Sequence, residues 1–229
     1  MKLAIVIPAY NEGSVIKDVL LSLPKKIQGI SEIISIVVND GSIDNTYDVA
    51  KEHATYAINH VVNMGAGAAT ITGLEAAKKL KADIAVTIDA DGQHNPKDIR
   101  KIIQPIINKK CDVVIGTRML DSKGMPKLKV FGNWAMNFIT YLVYHQWSSD
   151  SQSGMRAYNK HALKKMSLHS MGYEVCSEIV GEVKRTGLKL METPIKVIYS
   201  EYSKVKGQNW VNGINILTKS ISIRMAGKK

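Results

Sequence analysis

Across residues 1–118, apolar runs rich in Val and Ile take turns with amphipathic stretches of helical length, and that rhythm leaves few folds open. The runs fall at 3–7, 33–38, 56–62, 84–88 and 113–115, and the amphipathic stretches at 15–23, 45–53, 66–80 and 96–108. Strand–helix alternation of this kind predicts βαβ units and a mainly parallel sheet with helices on both faces. Both parities of 84–88 are largely apolar, as a central strand covered on two sides requires. Asn95 followed by Pro96 reads as an N-cap and first helical position. The run at 3–7 is too short for a signal peptide and is interrupted by Pro8 and Glu12, so it reads as a buried strand.

Beyond residue 118 the rhythm changes. Residues 130–149 contain no Asp, Glu, Lys or Arg but include Trp134, Phe138, Tyr141, Leu142 and Trp147. Asn133, Asn137, Thr140, His145 and Gln146 would be costly in lipid, which predicts a packed or interfacial helix instead of a membrane span. Helices are expected at 160–166 and 174–186, and a strand at 190–197. The tail from residue 209 places Trp210, Ile214, Leu217, Ile221 and Met225 on one helical face. That face suits a docked helix and an interfacial membrane helix equally.

A chain of 229 residues can bury a core without staples, and its two cysteines, Cys111 and Cys176, form no CxxC pair. A disulfide scaffold and a structural zinc site are therefore not expected, and a reducing, cytosolic setting is. Net charge is +11 and unevenly spread: residues 1–150 carry 17 basic against 15 acidic residues, residues 151–229 carry 14 against 5. A basic last third points to polyanions such as nucleic acid, anionic lipid or a phosphorylated substrate. No helix-turn-helix or stacking-aromatic pattern accompanies the charge, so nucleic acid is not the expected partner.

Ligands of open parallel sheets bind beyond the carboxyl ends of the strands. There the sequence places Pro8-Ala9-Tyr10-Asn11-Glu12, Asn39-Asp40-Gly41-Ser42, Asn63-Met64-Gly65-Ala66-Gly67, Asp89-Ala90-Asp91-Gly92-Gln93 and Gly116-Thr117-Arg118. Asp89 and Asp91, two apart on an extended chain, project to one side, and two such anions repel unless a proton or cation lies between them. Hard oxygen ligands, with Gln93 as a neutral third, suit Mg²⁺ or Mn²⁺. Solvated turn aspartates are the plainer alternative for an isolated DxD. Gly65-Ala66-Gly67 resembles a dinucleotide fingerprint only weakly and otherwise allows a ligand to approach the backbone. Asp150-Ser151-Gln152-Ser153-Gly154-Met155-Arg156 reads as a polar loop between helical segments. Residues 199–207, which include Ser203 and Lys204, read as a basic, aromatic flap or an ordinary surface loop.

Taken in order, the strand-end motifs resemble inverting family 2 glycosyltransferases of the GT-A fold. The Asp150–Arg156 run is similar to the signature of the branch that glycosylates polyprenyl phosphates, including dolichol-phosphate mannosyltransferases. The resemblance implies a GT-A, Rossmann-like α/β fold: a mostly parallel sheet flanked by helices on both faces, with a C-terminal amphipathic helix. The GT-A domain would span 1–208, divided into a nucleotide-sugar half (1–118) and an acceptor half (119–208), with the helix at 209–229. It further implies that Pro8, Ala9, Tyr10, Asn11, Glu12 and Asp40 hold the nucleotide's base and ribose, with Gly65 and Ala90 lining the donor site. Asp89, Asp91 and Gln93 would hold the Mg²⁺ or Mn²⁺ bridging the donor diphosphate, Arg118 and Arg156 would face phosphates, and Ser203 and Lys204 would close over the donor. Asp91, Asp150 and Arg156 are the candidate catalytic residues, and Ser153, Gly154 and Arg156 the candidate acceptor site.

The expected reaction moves one sugar from a UDP- or GDP-sugar to a polyprenyl phosphate at the cytoplasmic face of a membrane, which the basic last third would touch peripherally. Charge growing on the leaving nucleoside diphosphate calls for a cation. A phosphate monoester acceptor, with a second pKa of about 6, is already ionised at neutral pH. Asp150 then serves as a base only for a hydroxyl acceptor, and otherwise orients Arg156 or another basic partner. Two alternatives remain at this point: the same chemistry on a saccharide hydroxyl, and a nucleotide-sugar-binding module without turnover.

Overall fold

The computed structural model describes residues 1–119 and 127–198. The expected flap with Ser203 and Lys204 and the expected helix at 209–229 lie outside the described residues.

Strands β1 (Lys2–Ala9), β2 (Glu32–Asp40), β3 (Tyr56–His60), β4 (Ile84–Thr87) and β5 (Val113–Thr117) follow the apolar runs. Helices α1 (Ile16–Ser22), α2 (Thr46–His53), α3 (Ala66–Lys79) and α4 (Ile99–Ile107) follow the amphipathic stretches between them. Helix α5 (Lys127–Tyr144), strand β6 (Arg156–Asn159), helices α6 (Lys160–Lys165) and α7 (Val175–Thr186), and strand β7 (Leu190–Pro194) complete the chain. One sheet joins all seven strands in the order β3-β2-β1-β4-β6-β5-β7. Every pairing is parallel except those of β6, which runs antiparallel to both β4 and β5.

The alternation of side chains along β1 builds two cores. Leu3, Ile5 and Ile7 join Ile16, Val86, Ile99, Ile103 and Val114 on the face covered by α1 and α4. Ala4 and Val6 join Ile36, Ala69, Leu74, Tyr158 and Ile179 on the face covered by α3, α6 and α7. Helix α3 lies close against β1 because Gly73 faces Val6, where any Cβ would collide with the valine. The expected mostly parallel sheet with helices on both faces is what forms.

Four local departures stand out. The helix expected at 96–108 begins as a 3-10 turn over Pro96–Asp98, with the Asn95 side chain accepting from Lys97 N at 3.0 Å. Strand β3 stops at His60, and Val61 and Val62 turn to solvent. The strand expected at 190–197 is regular only to Pro194, which cannot donate to a ladder. The chain then meets the β4 loop through a bridge between Val197 and His94 and a bond from Ile198 N to Gln93 O. Strand β6 has no forerunner among the sequence expectations: residues 150–156 read as a loop between helices, yet Arg156 begins a strand threaded between β4 and β5.

Candidate active site

Because the other strands run one way and β6 the other, the loops after β1 to β5 and residues 148–155 before β6 all open on one edge of the sheet. β2 and β3 lie on one side of β1 and β4 on the other. At such a switch point adjacent loops diverge and leave a crevice.

Asp89 and Asp91 flank the buried Ala90 at this crevice. Asp89 Oδ2 pairs with His94 Nε2 at 2.9 Å, while Asp91 accepts from Gln93 N at 2.9 Å and Gln93 Nε2 at 2.7 Å. Burial pushes the Asp91 carboxyl above its usual range, and the Asp89 charge pushes it further. Protein atoms around Asp89 also disfavour its anion. His94, through hydrogen bond and charge, together with Arg118 and Arg156, nevertheless holds it below the usual carboxylate range. Two crowded carboxylates, one resisting ionisation through burial and then through the other's charge, form a site that a cation would relieve. Among the described residues no three His, Cys, Asp or Glu side chains converge on a metal position. The oxygen-bearing side chains gathered here are the two carboxylates and the Gln93 amide, a set whose chemistry fits a hard divalent ion.

Gly154 lies directly against Asp89: a Cβ at residue 154 would overlap the Asp89 carboxylate. Its carbonyl accepts from Thr87 Oγ1 at 2.8 Å, so the loop before β6 is tied to β4 at this point. Further back, Asp150 is fully buried. It accepts three bonds from Arg118, from the backbone N at 2.8 Å, Nε at 2.7 Å and Nη2 at 2.7 Å. The basic partner of Asp150 is thus Arg118 and not the expected Arg156, whose donors go to backbone carbonyls. Arg156 is buried too, and its guanidinium donates to the carbonyls of Ser153 (2.8 Å), Cys176 (2.9 Å) and Ser151 (2.6 Å). It shapes the 151–153 backbone from beneath, and Ser153 is buried with it. Glu192 on β7 anchors the start of the same loop, accepting from Ser148 Oγ, Ser149 N and Ser149 Oγ.

At the other end of the crevice the β1 and β2 loops interlock. Asn11 N donates to Ser42 Oγ at 2.9 Å, Ile43 N to Asn11 Oδ1 at 3.0 Å, and Glu12 N to Thr46 Oγ1 at 2.8 Å. Pro8 and Ala9 end β1, and Tyr10 is exposed above them. Asp40 is buried, accepting from Met64 N at 3.0 Å and Gly65 N at 2.7 Å and pairing with His60 Nδ1 at 2.7 Å. It sets the turn into α3, where Gly65 adopts φ +103° and leaves no space for a Cβ against Met171 O.

A further segment, residues 167–174, faces the crevice from α7. The α7 region presents Glu174, Glu178 and Glu182 at four-residue spacing, all buried on one side. Glu182 accepts from Ser167 N, Glu178 from His169 N and Ser170 N, and Glu174 from Gly172 N. The carboxylates thereby replace a backbone ladder for a segment that has none. This segment brings Tyr173 near Asp89, Asp91 and Glu12; burial, then those negative charges, push its phenol above the usual range. Glu178→Ala is expected to destabilise the fold by about 2 kcal/mol, since two backbone N–H groups lose their acceptor. Urea unfolding measures this, and an unchanged midpoint would show that water replaces the carboxylate.

His94, Tyr173, Glu192 and the three α7 glutamates had no place among the sequence expectations. His94 directly follows Gln93, and the glutamates stand at i, i+4 and i+8. Both signals were legible.

An open, mostly parallel sheet with interlocked β1 and β2 loops and a carboxylate pair on its carboxyl edge defines the GT-A class of α/β fold. A crystal structure of Mycobacterium tuberculosis glucosyl-3-phosphoglycerate synthase with Mn²⁺ and UDP-glucose shares the fold, with a TM-score of 0.71 and 19% identity, over 98% of this chain and 78% of that one. The sequence model described as Glycosyl transferase family 2 matches residues 4–167, and the chain belongs to that family. It is 43% identical to the UDP-N-acetylglucosamine–dolichyl-phosphate N-acetylglucosaminyltransferase of Methanococcus voltae, over 96% of this chain and 95% of the relative. It is 25% identical to the undecaprenyl-phosphate mannosyltransferase of Micrococcus luteus, over 99% and 97%. The protein is a glycosyltransferase. Among the described residues no helix is long and apolar enough to cross a membrane.

Proposed function

We propose that this glycosyltransferase moves a single sugar, with inversion, from a UDP- or GDP-sugar to a polyprenyl phosphate at the cytoplasmic face of a membrane. The observation that carries the reading is the close approach of Gly154, in the run similar to the polyprenyl-phosphate signature, to the Asp89 carboxylate. Two relatives named for dolichyl and undecaprenyl phosphate acceptors, matched over nearly their whole length, support the acceptor class. The Methanococcus voltae relative makes UDP-N-acetylglucosamine the first donor to test.

Asp89, Asp91 and Gln93 would hold Mg²⁺ or Mn²⁺, which supplies positive charge to the departing diphosphate. Residues 8–12, with Gly65 and Ala90, would line the donor site, and Asp40 would support it by holding the turn at Gly65. Ser203 and Lys204 would close over the donor. Arg118, fixed by Asp150, would face a phosphate beside the pair, while Ser153, Gly154 and Arg156 would shape the acceptor side. Phosphate is the favoured acceptor because Asp150 already uses both oxygens on Arg118. An ionised phosphate needs steering and no deprotonation, whereas a saccharide hydroxyl would need a base. The basic last third would draw the chain to anionic headgroups, each basic residue near the surface contributing roughly 1 kcal/mol.

The test incubates the purified chain with Mg²⁺ or Mn²⁺, a panel of UDP- and GDP-sugars and a short, water-soluble polyprenyl phosphate, and follows nucleoside diphosphate release. Release that requires the lipid phosphate and is abolished by EDTA and by Asp91→Ala is the expected result. Release stimulated only by saccharides would overturn the acceptor assignment, and EDTA-insensitive release the metal.

A further inference from the structure

Four lysines gather on the side of the molecule away from the crevice. Strand β4 begins at Ile84 opposite Asn159, where β6 ends, so the turn leaving α3 and the start of α6 meet on the amino edge of the sheet. Between them runs a cleft of about 270 Å³ lined by Lys78, Lys81, Ala82, Lys160, Leu163 and Lys164. Ala82 and Leu163 are buried and form its apolar floor, and the four lysines are exposed along its rim. Among the described residues Lys78 pairs with Glu75 at 3.2 Å, while Lys81, Lys160 and Lys164 have no carboxylate within ion-pair distance. A lysine near a helix C-terminus complements the helix dipole, and that accounts for Lys78 and Lys164. It does not account for the other two. Lys160 opens α6, where a cation opposes the dipole. Lys81 follows the last residue of α3 at φ +59°, a left-handed backbone that glycine adopts freely and a side chain resists. Ala82 N bonds to Ala77 O across this turn at 3.0 Å, the tight helix stop that glycine usually makes. Lys109 ends α4 in the same conformation and adds its charge to the same edge. Two positive charges thus stand where local structure disfavours them, and both line one cleft.

We propose that this cleft docks an acidic segment of a partner protein, its carboxylates paired with the lysines and an apolar side chain seated on Ala82 and Leu163. The inference goes beyond the reaction proposed above and does not depend on it. Charge complementarity sets the sign of the occupant, and the lining selects a protein segment. It holds no Arg and no aromatic ring, the side chains that grip phosphates in pairs and stack on bases, which disfavours nucleic acid. Lysine is a point charge suited to single carboxylates. The apolar floor rewards a side chain, which a bare polyphosphate lacks. Residues 199–229 carry six basic residues against one acidic, so the chain's own tail is repelled from the cleft. The crevice opens on the carboxyl edge, a strand length of about 26 Å away for the eight residues of β1, so a partner held here leaves the active site open.

The test uses the full chain and a fluorescein-labelled peptide in which one Leu stands between runs of Glu, with binding read as anisotropy at physiological salt. Saturable binding is expected, weakened when Ser replaces the Leu. Lys81→Glu/Lys160→Glu is expected to weaken it about tenfold, two attractions having become repulsions, with turnover of the water-soluble acceptor unchanged. Lys25→Glu/Lys26→Glu makes the same change of net charge on exposed lysines beside Ile27, in the core on the opposite face of the sheet. It is expected to weaken binding by about twofold at most, because salt screens distant charges. Lys81→Gly guards against a folding artefact. Glycine suits the left-handed turn, so the circular-dichroism melting temperature should rise while peptide affinity falls about threefold. Failure of the peptide to bind overturns the proposal, as does equal weakening by the two double variants, which would leave net charge as the whole cause. Tighter binding of single-stranded RNA or of phosphatidylglycerol vesicles, lost in Lys81→Glu/Lys160→Glu, also overturns it and gives the cleft to nucleic acid or lipid. Absence of turnover in the unaltered chain bears only on the proposed reaction, and peptide binding only on the cleft.

Discussion

Gly154→Ala is expected to lower kcat by about 100-fold while leaving the protein folded. A methyl group at residue 154 overlaps the Asp89 carboxylate, and the backbone there cannot retreat freely because Thr87 holds the Gly154 carbonyl at 2.8 Å. The side chain of Asp89 must give way, and it would leave His94 Nε2 as it does so. Displacing a catalytic group by about 1 Å commonly costs that factor in rate. The measurement pairs kcat at saturating donor with Mn²⁺ affinity in the presence of UDP, both of which should weaken together. Gly132→Ala is the control: a Cβ there meets nothing within 4 Å, and it lies in α5, where alanine is favoured over glycine by about 1 kcal/mol. Activity and metal affinity both unchanged in Gly154→Ala would remove Asp89 from the metal site.

What was legible in the sequence, and what was not, follows from how local each signal is. Strands β1, β2, β4 and β5 announced themselves because a strand covered on both faces is largely apolar in both parities, and Val/Ile runs at 84–88 or 113–115 fit little else. The carboxylate pair was legible because Asp89 and Asp91 stand two residues apart just past the end of a buried strand, although the structure holds them in the turn after β4. Strand β6 was hidden by Arg156, a charge at the start of a buried strand. The fold accommodates it by turning three backbone carbonyls onto the guanidinium, one of them twenty residues away at Cys176. Asp40 sits at a strand end, and its role toward the nucleotide came from the resemblance alone. Its partners Met64 and Gly65 come from the next βα unit, and no local pattern declares them. The outward aromatic face of α5 had the same difficulty in reverse. Its residues were visible, but which side of the helix faced the protein depended on Ser149, Ser151 and Ser177.

Asp150→Asn is expected to lower kcat/KM for the acceptor by about 100-fold, chiefly by raising its KM, with donor binding little changed. The buried carboxylate receives Arg118 through its backbone N, Nε and Nη2. An asparagine keeps one acceptor oxygen and turns an NH₂ toward the guanidinium, so Arg118 loses the paired geometry that aims it. Arg118→Ala is a poorer probe, because stranding a buried carboxylate costs about 3–5 kcal/mol and threatens the fold. The pH profile separates positioning from base catalysis. With a phosphate acceptor, kcat/KM should rise with pH as the monoanion becomes the dianion, through the acceptor's own second pKa of about 6. That acid limb belongs to the substrate, so Asp150→Asn should lower the whole profile and leave the limb where it was. If Asp150 itself took a proton from the acceptor, the limb would vanish in the variant and kcat would carry the loss. A limb that stays in place assigns Asp150 to Arg118, and the nucleophile's readiness to the chemistry of the phosphate.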